Sequence, residues 1–266
     1  LNVIKKNVIE NNEIPLINYL QNKNDDLICI FLRPSLRNLI KNIFNENFIS
    51  NQFQKEDGGN DVYFLSKNLH QGLSPDDIIR KKRLSRIRKS KKQNHLIIGN
   101  SIDLEKKGYF LQVSAMYQSL MKKKKTNSFY LFRKFWKDPK YLTNVDHKFF
   151  LAIDSITNNL NAFILLLDGY EQFIFLSASN QNGRETNAPS FLRYHVIDYF
   201  LNSKSAFYIN MGGVNKNKGG DESFKKSFGG ESIRYSIFYQ INLDSYERLL
   251  KEMNKSFNPE RILFWK

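Results

Sequence analysis

The run from Lys148 to Met211 constrains the fold more than any other part of the chain. Three short apolar segments, Lys148 to Asp154, Asn161 to Leu167 and Phe173 to Ser179, are parted by turn sequences. Thr157-Asn158-Asn159 and Asp168-Gly169-Tyr170 supply those turns, and Asp-Gly is a strong hairpin signal. The segments therefore predict an antiparallel meander. An amphipathic helix is predicted from Pro189 to Ser203, its apolar face made by Phe191, Tyr194, Val196, Ile197, Phe200 and Leu201. A strand from Ala206 to Met211 follows and runs into Gly212-Gly213.

The rest of the chain adds elements around this centre. Residues 27–32 read as a strand, Pro34 to Phe44 as helix-like, and Val62 to Leu65 as a short strand after the turn sequence Asp57 to Asp61. Ser74 can cap a helix, Pro75 suits its first position, and Asp76 and Asp77 favour its dipole. That helix is expected to run on through Lys89, with a thin apolar stripe and a densely cationic remainder. A strand around His95 to Ile98 precedes a long helix expected from Leu104 to Lys122 and a further helix from Asn127 to Trp136. After the meander come a short helix at Glu222 to Phe228, a strand from Ser232 to Leu243 and a last helix from Ser245 to Met253. The order predicts an α/β chain with a mixed sheet flanked by helices.

Charge narrows the partners. Lysine and arginine number 41 against 26 acids, a net charge of +15. The excess is clustered, which points to nucleic acid, a phosphate-bearing substrate or an acidic membrane surface. Cys29 is the sole cysteine and sits in an apolar strand, so it reads as core, and a reducing compartment, the cytoplasm, is expected. Docking at the inner face of a membrane fits the same charge. No metal or other cofactor is expected, because His70, His95, His147 and His195 are scattered and no Cys/His cluster exists. His195 reads as a helix-surface or core residue, with a base role as the alternative.

The most distinctive chemistry lies between residues 207 and 231. Gly212-Gly213 and Gly229-Gly230 flank a loop carrying Lys216 and Lys218 and a short helix carrying Lys225 between Phe224 and Phe228. Paired glycines let backbone approach a ligand or take positive φ, and the lysines suit phosphate oxygens. Lys225 can stabilise developing negative charge. A plain glycine-rich turn with a solvated lysine is the other reading. Upstream, Arg83, Arg86, Arg88 and Lys89 suit phosphate contacts or form a solvated helix face.

The stretch Phe224-Lys225-Lys226-Ser227-Phe228-Gly229-Gly230 resembles the C-terminal signature of the FemA/FemB/FemX family, a branch of the GNAT acyltransferases. Asn210-Met211-Gly212-Gly213 resembles its preceding Asp-Phe-Gly-Gly-like turn, with Asn210 in place of the usual acid. Ser74-Pro75-Asp76-Asp77 and the cationic segment 82–90 resemble the helix that opens the family's second GNAT-like domain. The resemblance covers roughly residues 60–243 and implies a GNAT-like fold. It implies a partial N-terminal GNAT-like domain over residues 1–72, truncated or reduced, and a complete one over 73–266.

The resemblance further implies transfer of an aminoacyl group from aminoacyl-tRNA to an amine of a cell-envelope precursor. Acyl-thioester donors serving polysaccharide or lipid synthesis are the second expectation. A non-catalytic RNA- or membrane-surface-binding scaffold is the third. Carried over, Lys225 meets the donor and Phe224 positions it. Asn210, Gly212, Gly213, Lys216, Lys218, Phe228, Gly229, Gly230 and the cationic helix bind substrate. Aminolysis needs a proton acceptor, for which Asp154 and Glu231 are candidates. The coenzyme A loop of ordinary GNAT enzymes is poorly matched by Asn180 to Asn187, which holds a single glycine.

Overall fold

The computed structural model describes residues 27–32, 54–123, 136, 138–142, 146–169, 171–213 and 219–241. For residues 27–32, 54–64, 141–142, 219–221 and 234–241 only the backbone course is described. The expected helices at 34–44, 127–136 and 245–253 lie outside these residues, Trp136 apart. The chain divides into two compact units, Asn60–Ile233 and a second drawn from Leu1–Gly59 with Arg234–Lys266.

In the second unit, strand β1 (Leu27–Leu32) pairs antiparallel with strand β8 (Glu231–Ile241), with Cys29 opposite Tyr239. The unit Asn60–Ile233 is built on a mixed six-stranded sheet. Its strands are β2 (Gln54–Ser66), β3 (Asn94–Gly99), β4 (His147–Asp154), β5 (Leu160–Leu167), β6 (Glu171–Ser179) and β7 (Tyr208–Gly213). They lie in the order β2-β7-β6-β5-β4-β3. The meander β3 to β6 is antiparallel throughout, whereas β6 and β7 run parallel. Between them α6 (Ala188–Asn202) makes the crossover that parallel neighbours require.

The central strands are apolar on both faces because helices cover both. Phe150, Ala152, Ala162, Ile164 and Leu166 meet α6 and α2 (Lys81–Lys91) on one side. Phe149, Leu151, Ile153, Phe163 and Leu165 meet α4 (Phe110–Lys123) on the other. The β5–β6 pairing skips one residue at Phe175, so Ile174 serves the first core while Leu176 and Ala178 serve the second.

Two predicted helices are each broken in two. The helix α1 spans only Pro75–Ile78, held by the Asp77 carboxylate, which accepts from both Ser74 N–H and Ser74 Oγ, while Asp77 N–H donates to Ser74 O. Ile79 and Arg80 then turn extended, with ψ of 134° and 136°, before α2 begins. Ile79 is buried and Arg80 N–H donates to Ser227 O at 3.1 Å, so a core contact and a tertiary hydrogen bond replace helix continuity. The expected helix 104–122 is α3 (Ser101–Lys106) plus α4, divided at Gly108 with φ of +74°. Gly108 N–H donates to Glu105 O and Tyr109 N–H to Leu104 O, the paired bonds of a Schellman ending.

A short helix, α5 (Gln181–Glu185), occupies the segment weighed as a coenzyme A loop. Its Gly183 N–H donates to Asn180 Oδ1, so its N-terminus is capped from within. An asparagine layer ties α5 to the sheet. Asn182 donates to Asn161 Oδ1 at 2.9 Å, Asn161 to Asn94 Oδ1 at 2.8 Å, and Asn94 to Ser90 on α2. Asn161 is the extra residue of a bulge in β5, and this layer satisfies its buried amide. Gly183 sits so close that a β-carbon there would overlap the Asn161 carbonyl. Gly183→Ala is therefore expected to destabilise the chain by roughly 3 kcal/mol, read as a lower urea midpoint at unchanged m-value.

Candidate functional site

Strand β7 ends at the first diglycine pair. Asn210, 1% exposed, accepts from Gly212 N–H through Oδ1 at 2.8 Å. Gly212 has φ of +84°, a left-handed conformation that glycine adopts without strain. The parallel ladder between β6 and β7 ends at Phe173 opposite Asn210, although β6 continues to Ser179 and β7 to Gly213. The pairing of the two strands thus ends beside this turn.

Helix α7 (Gly219–Lys226) delivers Lys225 to the turn. The side chain is only 5% exposed, and its ammonium donates to Gly212 O at 3.0 Å and Gly213 O at 2.5 Å. Carbonyl oxygens offset the desolvation of a buried cation, so the lysine and the left-handed turn hold each other. Glu222 and Lys226, one turn apart on α7, pair at 2.7 Å on the exposed side.

The second diglycine pair closes the helix from behind. Gly229 also has φ of +84°, and a β-carbon there would overlap Ile78 at the end of α1. Phe228 is fully buried and its ring meets Phe224 edge-on at 5.2 Å. Above these rings lie two guanidinium groups. Arg83 stands 4.6 Å from the Phe224 centroid and 5.5 Å from that of Phe228, and Arg193 of α6 stands 4.8 Å from Phe224. Arg83 also donates to Ser227 Oγ at 2.9 Å and Ser190 Oγ at 3.2 Å. Burial, and next the charge of Arg86, push the Arg83 pKa down.

Comparison with known proteins fixes the fold. No protein-family model matches the chain, and no curated protein matches it in sequence. The crystal structure of FemX matches over 90% of this chain and 79% of its own, at 12% identity and a TM-score of 0.58. The chain has a FemX-like GNAT fold. The L-PGS of Bacillus licheniformis matches over 87% of this chain and 74% of its own, at 12% identity and a TM-score of 0.51. The C-terminal domain assigned to a lysylphosphatidylglycerol synthetase of Agrobacterium fabrum matches over 83% and 69%, at 12% identity and a TM-score of 0.51. At such identities the likeness is one of fold.

Within this FemX-like fold, Phe224, Lys225, Phe228, Gly229, Asn210, Gly212 and Gly213 form one connected group. Gly230 follows directly, half-buried, immediately before β8. Arg83 joins the group from α2, whereas Arg86, Arg88 and Lys89 are exposed on the outer side of that helix. Lys216 and Lys218 lie outside the described residues. Glu231 is exposed at the first position of β8. Asp154 ends β4 as a turn acid, with β5 and β6 lying between that strand and β7. It accepts from Thr157 N, Ile156 N, Asn182 and Asn161, and the two backbone bonds above all hold its carboxyl well below the ordinary range. A carboxylate so stabilised as the anion is a poor proton acceptor. Among the described residues no group of three or more His, Cys, Asp or Glu is arranged to hold a metal. Nor does any described helix have the length and apolar character to cross a membrane.

The sequence reading missed Glu171, Ser190, Arg193 and Ser227. Ser190, Arg193 and Ile197 recur at helical spacing, so the buried face of α6 was there to be read as including Arg193. Glu171 carried no such signal, because the register of β6 on β7 sets its place. Elsewhere on α6, the His195 ring packs on Phe191 at 4.6 Å and Tyr194 at 5.3 Å. Burial first, and the Lys91 charge second, lower its pKa below 6.5, while Asp198 opposes them. The unfolded chain therefore binds this proton more readily, and stability falls as pH drops through 6.5. His195→Gln is expected to flatten that limb of the stability–pH curve, measured by urea unfolding between pH 7.5 and 5.

Proposed function

We propose that the chain transfers an activated acyl group, in the first instance an aminoacyl group from aminoacyl-tRNA, to an amine of a cell-envelope precursor. One observation carries this reading: on a FemX-like fold, a buried lysine ammonium is held at a diglycine turn where the pairing of two parallel strands ends. The named functions of similar folds, among them a lysylphosphatidylglycerol synthetase, support acyl transfer as the reaction class. In this reading the GNAT-like domain over residues 73–266 carries the reaction, after a partial first domain over 1–72.

The reaction is aminolysis. The acceptor nitrogen attacks the donor carbonyl carbon, the bond to the ester oxygen breaks, and a proton leaves nitrogen for the departing oxygen. Negative charge gathers on the carbonyl oxygen at the tetrahedral stage. Lys225 supplies positive charge there, and Phe224 with Arg83 keeps α7 seated. The exposed Arg86, Arg88 and Lys89 meet donor phosphates.

Lys225→Met is expected to lower kcat by about a hundredfold, in line with the loss of one preorganised charge. Single-turnover assays with charged tRNA and with acyl-CoA, each with a panel of amine acceptors, identify the donor. If neither donor pool is consumed, the transferase reading fails and the binding scaffold takes its place. Arg86→Ala with Lys89→Ala is expected to weaken donor binding and to reduce its salt dependence by about two phosphate contacts. A salt slope unchanged by that double substitution would remove the cationic helix from donor recognition.

A further inference from the structure

The carboxylate of Glu171 ends a chain of hydrogen bonds that leads to the Lys225 ammonium. Asn210 Nδ2 donates to Glu171 Oε1 at 3.0 Å, Gly212 N–H donates to Asn210 Oδ1 at 2.8 Å, and Lys225 Nζ donates to Gly212 O at 3.0 Å. Glu171 is the first residue of β6 and Asn210 belongs to β7, so the chain crosses the parallel pair where Glu171 faces Tyr208 and Phe173 faces Asn210. Asn210 is 1% exposed and Glu171 half-buried, so solvent competes little for the amide.

An asparagine amide offers a donor on one side and an acceptor on the other, and rotation by half a turn exchanges them. A carboxylate only accepts. Beside Glu171 the amide must present its NH2 to the carboxylate, which leaves Oδ1 for the Gly212 N–H. The reversed amide would set two acceptors face to face at Glu171 and two donors face to face at Gly212. Burial makes both clashes costly.

We propose that Glu171 is a positioning residue: by fixing the Asn210 amide it sets the left-handed Gly212 turn, and through that turn the place of the Lys225 ammonium. The negative charge of this corner thus comes from the neighbouring strand, not from residue 210. The inference rests on the proposed transferase role for its kinetic consequences, and on geometry alone for its effect on the turn.

Both parts are tested on the full chain with the donor the wild type consumes. Glu171→Ala is expected to lower kcat by about tenfold to a hundredfold, the scale of a misplaced catalytic group, with KM little changed. In a Lys225→Met background the same substitution should cost nothing further. An equal additional loss there would indicate general damage to the fold and overturn the proposal. Asn210→Asp alone sets two carboxylates against each other and should lower kcat. Asn210→Asp combined with Glu171→Gln restores a matched donor and acceptor pair and should recover most of the loss. A double variant no better than the worse single one also overturns it. Amide exchange by NMR separates this inference from the functional one. Glu171→Ala should speed exchange at Gly212 while Leu165 in β5 stays protected. An unmoved Gly212 sinks the Glu171 role whether or not the chain transfers acyl groups. A wild type that consumes no donor sinks only the transferase reading.

Discussion

A lysine ammonium removed from water must find acceptors, because its desolvation otherwise costs several kcal/mol. Lys225 finds them in two successive backbone carbonyls, those of Gly212 and Gly213. That requirement organises the surrounding fold. The carbonyls converge on one cation because Gly212 is left-handed, and Asn210 holds it there. Helix α7 is fixed against β7 by the same bonds. Its other side is seated by Phe224 and Phe228 under Arg83, which reaches from α2 to Ser227 and to Ser190 on α6. With Arg193 of α6 also over Phe224, three helices and one strand end share a joint with three cations and two aromatic rings at its centre.

The break between α1 and α2 belongs to this joint. A continuous helix would leave the Arg80 N–H to an intrahelical acceptor. In its extended conformation that N–H reaches Ser227 O, and Ile78 comes to rest against Gly229. Helix propensity over residues 75–91 is good, so local preference alone favours one long rod. The tertiary bonds outweigh it, as they commonly do for helices with a thin apolar stripe.

That contest explains what the sequence disclosed. The meander, the crossover helix and β7 were legible because short apolar runs, the Asp168-Gly169 turn and the helical spacing of Phe191, Val196, Ile197 and Phe200 are all local signals. The group around Lys225 was legible through its motif and its paired glycines. The breaks at Ile79 and Gly108 were not, since one depends on a partner far along the chain and the other on a single glycine inside a strong helical pattern. Arg83 was read as a phosphate contact on a cationic face. Its exposed neighbours fit that face, whereas Arg83 itself lies across Phe224, which the helix pattern could not separate from them. Glu171 was hidden for a topological reason: parallel register is written in neither strand.

The contact of Ile78 with Gly229 restricts what can stand at position 229. The isoleucine side chain fills the place where any larger residue at 229 would stand, so the turn is stoppered on its helical side.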